Sequence, residues 1–235
     1  MPDDALGLAM LDRFRGCLRA PCVYRDGADA GDAHVYEHYL VPSEEWPESK
    51  WEFVESLRTP VLDVGCGAGQ HALAIQDCGE VVAFDVSPNA VRTARARGVE
   101  LVFVGDMFDP PAESGRFETV LANGTQIGLA GSLDGLADLL ASLAEFTTDT
   151  GELVVDSYDP TRIDSEAFFG YRPDSRTGVA RRTFHVEYGG LRGPDLDFLL
   201  VSPERLREVA ADAGLDVFDV SYSAPESSYF KARLR

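Results

Sequence analysis

The stretch VLDVGCGAG, from Val61 to Gly69, decides the fold. Val61, Leu62 and Val64 read as a buried strand interrupted only by Asp63. Gly65, Gly67 and Gly69 then give a turn with no Cβ atoms in the way, and HALAIQ (His71 to Gln76) follows as a helix of strong formers. Strand, glycine turn and helix together bring free backbone N–H groups and a positive dipole end against a ligand. The acid at the strand tip suits a ligand that carries an amino group or ribose hydroxyls.

Two further units follow downstream. Glu80-VVAF-Asp85 is a short apolar strand whose closing acid lies about 20 residues beyond the first, where a carboxylate can take both hydroxyls of a ribose. Glu100-LVFV-Gly105-Asp106-Met107 repeats the pattern. Parallel strands with acids at their carboxyl ends define one crevice, the place where open α/β sheets bind ligands. The glycine spacing separates nucleotide families. A dinucleotide fold wants G-x-G-x-x-G, but Gln70 stands at the last of those positions, and what is present is D-x-G-x-G-x-G. A nicotinamide enzyme is therefore disfavoured.

This pattern resembles the S-adenosylmethionine (SAM) dependent methyltransferases of the Rossmann-like class, over roughly Pro60 to Asp156. The resemblance implies an α/β fold: a seven-stranded, mostly parallel sheet with helices on both faces and an antiparallel last strand. It implies SAM as cofactor, with Asp63, Gly65 and Gly67 at the methionine end. Asp85 would hold the ribose, Asp106 and Met107 would meet the adenine, and Cys66 and Val86 also belong to the expected cofactor set. Tyr36 and Asn123 complete the expected cofactor set. Cys66 reads as a small filler in the turn and not as a nucleophile.

With 235 residues and 45% hydrophobic content, the chain can bury one good core, which suits a single domain. The expected divisions are a helical cap or lid over 1–58, a SAM-binding core over 59–159, a substrate-side insertion over 160–200, and a C-terminal helix with edge strands over 201–235. The sequence has no apolar run of about 18 residues and no basic start, which excludes a membrane span or signal peptide and predicts a cytoplasmic protein. Cys17, Cys22, Cys66 and Cys78 show neither C-x-x-C pairing nor histidine spacing for a metal, so reduced thiols and no metal are expected. The net charge of −19 opposes nucleic acid and anionic membranes. Only Lys50 and Lys231 are lysines, and the acidity resembles that of proteins from salt-loving organisms.

Ala5 to Leu18 predicts an amphipathic helix, and residues 19–42 an irregular passage ending in HVYEHYL (His34 to Leu40). Small-molecule methyltransferases carry a tyrosine-bearing segment here that folds over the cofactor. Tyr36 and Tyr39 resemble it, while an ordinary capping role stands equal beside that one. A helix is expected from Ser43 to Leu57, a fourth strand over Phe117–Asn123 and a helix over Ser132–Phe146. The fifth strand is Glu152–Asp156, residues 161–178 read as a loop, and a hairpin follows from Ala180. Ser202-Pro203-Glu204 opens a helix that closes at Gly214, and Leu215–Tyr222 and Ser228–Leu234 make an antiparallel edge pair. The tip after the fourth strand reads NGTQIG. It lacks the prolines and aromatic of the DNA amino-methyltransferase box, which argues against base methylation of that type.

Methyl transfer from a sulfonium is an in-line displacement, dominated by alignment and, for protonated acceptors, aided by a base. His34, His38 and Tyr158 are the catalytic candidates. The expected activity is SAM-dependent methyl transfer to a small molecule (EC 2.1.1.-). The alternatives are a SAM- or nucleoside-binding module without transfer activity, and an RNA or protein methyltransferase. The last needs a basic groove from Arg172, Arg176, Arg181, Arg182 and Arg192, which read equally as scattered ion-pair partners.

Overall fold

The computed structural model describes residues 4–235. The chain divides into two compact units: residues 1–111 with 185–195, and residues 112–184 with 196–235.

In the first unit the order is α1 (Ala5–Phe14), β1 (Val23–Asp26), β2 (Asp29–Asp32), α2 (Val35–Tyr39) and α3 (Glu48–Glu55). There follow β3 (Val61–Val64), α4 (Gln70–Cys78), β4 (Val81–Asp85), α5 (Pro88–Arg97) and β5 (Val102–Val104). The second unit contains β6 (Phe117–Ala122), α6 (Leu133–Ala144), β7 (Thr147–Tyr158) and β8 (Tyr171–Pro173). β9 (Val179–Tyr188) runs from the second unit into the first, which also takes β10 (Leu191–Arg192). β11 (Leu196–Val201), α7 (Pro203–Asp212), β12 (Val217–Tyr222) and β13 (Tyr229–Leu234) complete the second unit.

The main sheet has seven strands in the order β12-β13-β7-β6-β3-β4-β5. β3, β4 and β5 pair in parallel, as do β6 and β7, whereas β13 is antiparallel to β7 and β12 to β13. This is the expected Rossmann-like arrangement, and the near-continuous apolar character of β3 and β4 follows from burial on both faces. Caps set the helix starts. The Oγ of Ser87 accepts from Ala90 N (3.0 Å), that of Ser132 from Gly135 N (3.0 Å) and that of Ser202 from Arg205 N (3.3 Å). Pro88 and Pro203 occupy the first turns of α5 and α7.

Several boundaries depart from expectation. The helix anticipated over Ser43–Leu57 is split into a 3-10 turn (Ser43–Glu45) and α3, with Trp46 and Pro47 extended between them. Pro47 drives its predecessor out of the α region. The passage 19–42 contains the β1–β2 hairpin, whose Val23–Arg25 edge pairs with His185–Glu187 of β9. β7 starts five residues before the expected Glu152, because Thr147 aligns with Phe117 of β6. In the loop expected over 161–178, β8 pairs with β9. Asp12 of α1 is buried, accepting from Tyr188 Oη (3.0 Å) and pairing with Arg19 Nε (2.8 Å), which ties α1 to β9 within the first unit.

Candidate functional site

The glycine turn lies at the carboxyl end of β3, in the first unit. Gly65, Gly67 and Gly69 have φ of +70°, +55° and +74°, a region that penalises every residue with a Cβ. A Cβ on Gly69 would also lie 2.6 Å from Val99 Cγ2, and one on Gly67 would lie 3.3 Å from the Tyr39 ring. Close packing against α5 and the ring of Tyr39 over the turn therefore both require glycine.

The turn's amides are mostly engaged internally, which corrects the expectation of free N–H groups facing a ligand. Gly65 N–H and Cys66 N–H donate to Phe84 O (2.9 and 3.0 Å), and Gly69 N–H donates to Cys66 O (2.9 Å). Gly67 N–H donates to Asp85 Oδ2 (2.8 Å) and Ser87 N–H to Asp85 Oδ1 (2.8 Å), so β4 ends in a carboxylate locked on two sides. Groups of the wrong sign for phosphate dominate what is left. Asp63 is 3% exposed, and its Oδ2 is buried with no hydrogen-bond partner. Burial and the charge of Asp85 push its carboxyl up to about 7, against a donated bond from Ala72 N–H. Burial also raises Asp85, opposed by the Ser87 and Gly67 donors. The Cys66 thiol is pushed well up by burial and by both aspartates, which fits a filler and not a nucleophile.

The other expected cofactor residues of this unit take distinct places. Val86 is 57% exposed, directly after Asp85. Asp106 is exposed and folds a tight turn, accepting Phe108 N–H at Oδ1 (3.0 Å), while Met107 beside it is buried. Tyr36 lies under the Arg13 guanidinium, 5.1 Å from the ring centroid. Tyr39, one helical turn on, is the tyrosine that covers Gly67, with Met10 of α1 also close. Met10 carried no signal beyond its place on the apolar stripe of α1. His34 and His38 are exposed and meet edge to face at 6.0 Å, with His38 next against Tyr39. His34 sits at φ +44°, its N–H held by Asp32 Oδ1 (2.6 Å).

The second unit has its own polar cluster, around Asp156 of β7. This buried carboxylate accepts Gly124 N–H (2.7 Å), Thr125 N–H (2.5 Å) and the Tyr229 hydroxyl. Burial raises it, while those donors and the Lys231 charge pull it down. It holds Thr125 at φ +60°, a left-handed conformation costly for a β-branched residue. Asn123 accepts weakly from Tyr229 Oη (3.4 Å). Tyr158 packs between Phe168 (4.9 Å) and Tyr229 (5.3 Å), and burial raises its phenol. Tyr229 was missed because its pairing with Asp156 comes from β13 aligning on β7, a contact over 73 residues.

The arginines of the insertion are engaged. Arg176 pairs with Asp174, Arg181 with Asp197 and Arg192 with Asp195. Arg182 stacks on Phe168 and Phe184, and Arg172 donates to Tyr171 O. Among the described residues no helix is long and apolar enough to cross a membrane.

Residues 61–151 match the family model of a methyltransferase domain. No curated protein matches the sequence. A SAM-dependent methyltransferase from Bacteroides fragilis, solved with S-adenosyl-L-homocysteine, is similar over 100% of this chain and 95% of its own, at TM-score 0.81 and 23% identity. The sugar N-methyltransferase KedS8 from Streptoalloteichus sp. matches over 88% of this chain and 96% of its own, at TM-score 0.60 and 20% identity. SAM-bound CalS10, an amino pentose methyltransferase from Micromonospora echinaspora, matches over 79% and 88%, at TM-score 0.54 and 23% identity. Residues 61–151 thus resemble a methyltransferase domain, and the chain has the Rossmann-like fold that these SAM-dependent methyltransferases share.

Proposed function

We propose that this protein transfers a methyl group from SAM to a small-molecule acceptor. One observation carries the cofactor half: the glycine turn turns its amides inward and leaves Asp63 with a buried, unpartnered oxygen. A pyrophosphate would meet carboxylates there. An α-ammonium group would supply the missing donor, and the residues present fit SAM on that ground. When bound, SAM supplies a methyl group already activated for in-line displacement.

The chain's residues bind and orient. Asp63 takes the ammonium, with Gly65, Cys66 and Gly67 forming the floor beside it. Asp85 uses two backbone donors to fix its plane, and a carboxylate offers about four acceptor sites, so room remains for ribose hydroxyls. Asp106 and Met107 border the adenine, and Val86 and Tyr36 stand as further contacts. His34 and His38 are the candidate bases, since a neutral imidazole nitrogen can accept a proton. Tyr158, in the second unit, is a further candidate, and burial raises its phenol. The printed acceptors of the structural neighbours, a sugar nitrogen and an amino pentose, support a small molecule. The paired arginines of the insertion count against RNA. The reading also includes a single domain working in the cytoplasm; the net charge of −19 supports a salt-loving cell.

Calorimetric titration with SAM and with NAD, in dilute buffer and in concentrated potassium chloride, tests the proposal. Micromolar SAM binding, weakened at least about tenfold in Asp85→Ala and with no NAD binding, is expected. Folded protein that binds no SAM in either salt overturns it. SAM binding without turnover across a panel of aminated sugars would favour the non-catalytic module.

A further inference from the structure

Two long side chains join the segment 33–41 to the glycine turn. Arg97, the last residue of α5, donates from Nη1 to Tyr39 O and Ala68 O (2.9 Å each) and from Nη2 to Leu40 O (3.4 Å). Gln70, the first residue of α4, donates from Nε2 to Val41 O (3.1 Å). Ala68 belongs to the turn itself, and Tyr39 is the ring that lies over Gly67. One guanidinium therefore spans the covering segment and the floor it covers.

The choice of partners is informative. In a chain with 40 aspartates and glutamates, the hydrogen bonds of this half-buried cation go to main-chain oxygens. Burial lowers its proton affinity, opposed by its charge interaction with Tyr36. Tyr39 O and Leu40 O lie at the carboxyl end of α2, where unsatisfied carbonyls present negative charge. A five-residue helix does not hold its own shape in water, so α2 depends on such contacts. A planar fork with fixed donor directions can take carbonyls from two chain segments at once, which an ammonium on a flexible stem does poorly.

We propose that Arg97 is a positioning residue that latches the segment 33–41 onto the glycine turn and so slows ligand escape from the Asp63–Asp85 crevice. The latch stands on the geometry alone, whereas the identity of the retained ligand rests on the SAM reading. Hydrogen bonds from a charged donor are among the stronger ones, and losing them corresponds to about ten- to a hundredfold in a local opening equilibrium.

Hydrogen exchange on the full chain without ligand, for wild type, Arg97→Met and Arg97→Lys, tests the latch. The reporters are the amides of His38, Leu40 and Val41, which donate to His34 O, Tyr36 O and Tyr36 O. In Arg97→Met these exchange at least about tenfold faster, while amides of β3 and β4 keep their protection; Arg97→Lys falls between. Unchanged exchange over 33–41, or equal loss through α5 and β4, overturns the latch. Stopped-flow dissociation of SAM tests retention, with about tenfold faster release in Arg97→Met expected. Local opening with unchanged SAM release overturns the retention role. Local opening in a protein whose wild type binds no SAM leaves the latch standing and overturns the cofactor reading instead.

Discussion

Replacing Asp63 by Asn should make the ligand-free protein more stable and the cofactor bind worse. The Asp63 carboxyl ionises at about 7 in the fold, against about 3.9 in an unfolded chain. Between those values the native state holds a proton that the unfolded state has released, so stability falls as pH rises through the window. By pH 8 the loss amounts to about 4 kcal/mol, at about 1.36 kcal/mol per pH unit of separation, and at pH 5 to about 1–2 kcal/mol. Asn fills the same space, keeps an oxygen for the Ala72 N–H and cannot ionise. Asp63→Asn should thus exceed wild type by about 4 kcal/mol at pH 8, or about 10 °C in unfolding temperature for a chain of this size. The advantage should shrink to about a third at pH 5. Calorimetric titration at pH 7 should show SAM binding at least about tenfold weaker, from loss of a charge-assisted partner for the ammonium. Parallel melts at pH 5 and pH 8 decide the matter. Equal unfolding temperatures at pH 8, or an advantage as large at pH 5 as at pH 8, refute the reasoning that a buried charge awaits a cation there.

Gly67→Ala forces a Cβ into a left-handed backbone and against Tyr39; a loss of about 1–2 kcal/mol in urea unfolding is expected, together with weaker SAM binding. Ser87→Ala removes the α5 cap and a 2.7 Å bond to Asp4; a loss of about 1–2 kcal/mol, with increased exchange at the Ala90 amide, should follow. Tyr229→Phe removes the hydroxyl donor and leaves Asp156 its two backbone donors and the nearby Lys231 charge. Its carboxyl should then titrate higher than in wild type by carbon-13 NMR, and native stability near pH 7 should drop by about 1–3 kcal/mol.

The Rossmann-like sheet and the glycine turn were legible because their signals are local. VLDVGCGAG places strand and left-handed turn within nine residues, with the helix starting at Gln70, and Asp63 and Asp85 stand as acids in short apolar runs. Steric limits on φ and burial of short strands act over a few residues, and one sequence suffices to state them. Ser202 and Pro203 marked a helix start for the same reason. Tertiary structure alone decided the rest. It paired Val23–Arg25 with His185–Glu187, set Tyr229 on Asp156, and chose Tyr39 over Tyr36 as the ring above Gly67. It also turned the glycine amides inward, leaving acceptors where donors were expected. Those outcomes depend on which distant strands align and which polar groups burial leaves to satisfy one another, and neither is encoded in the spacing of residues along the chain.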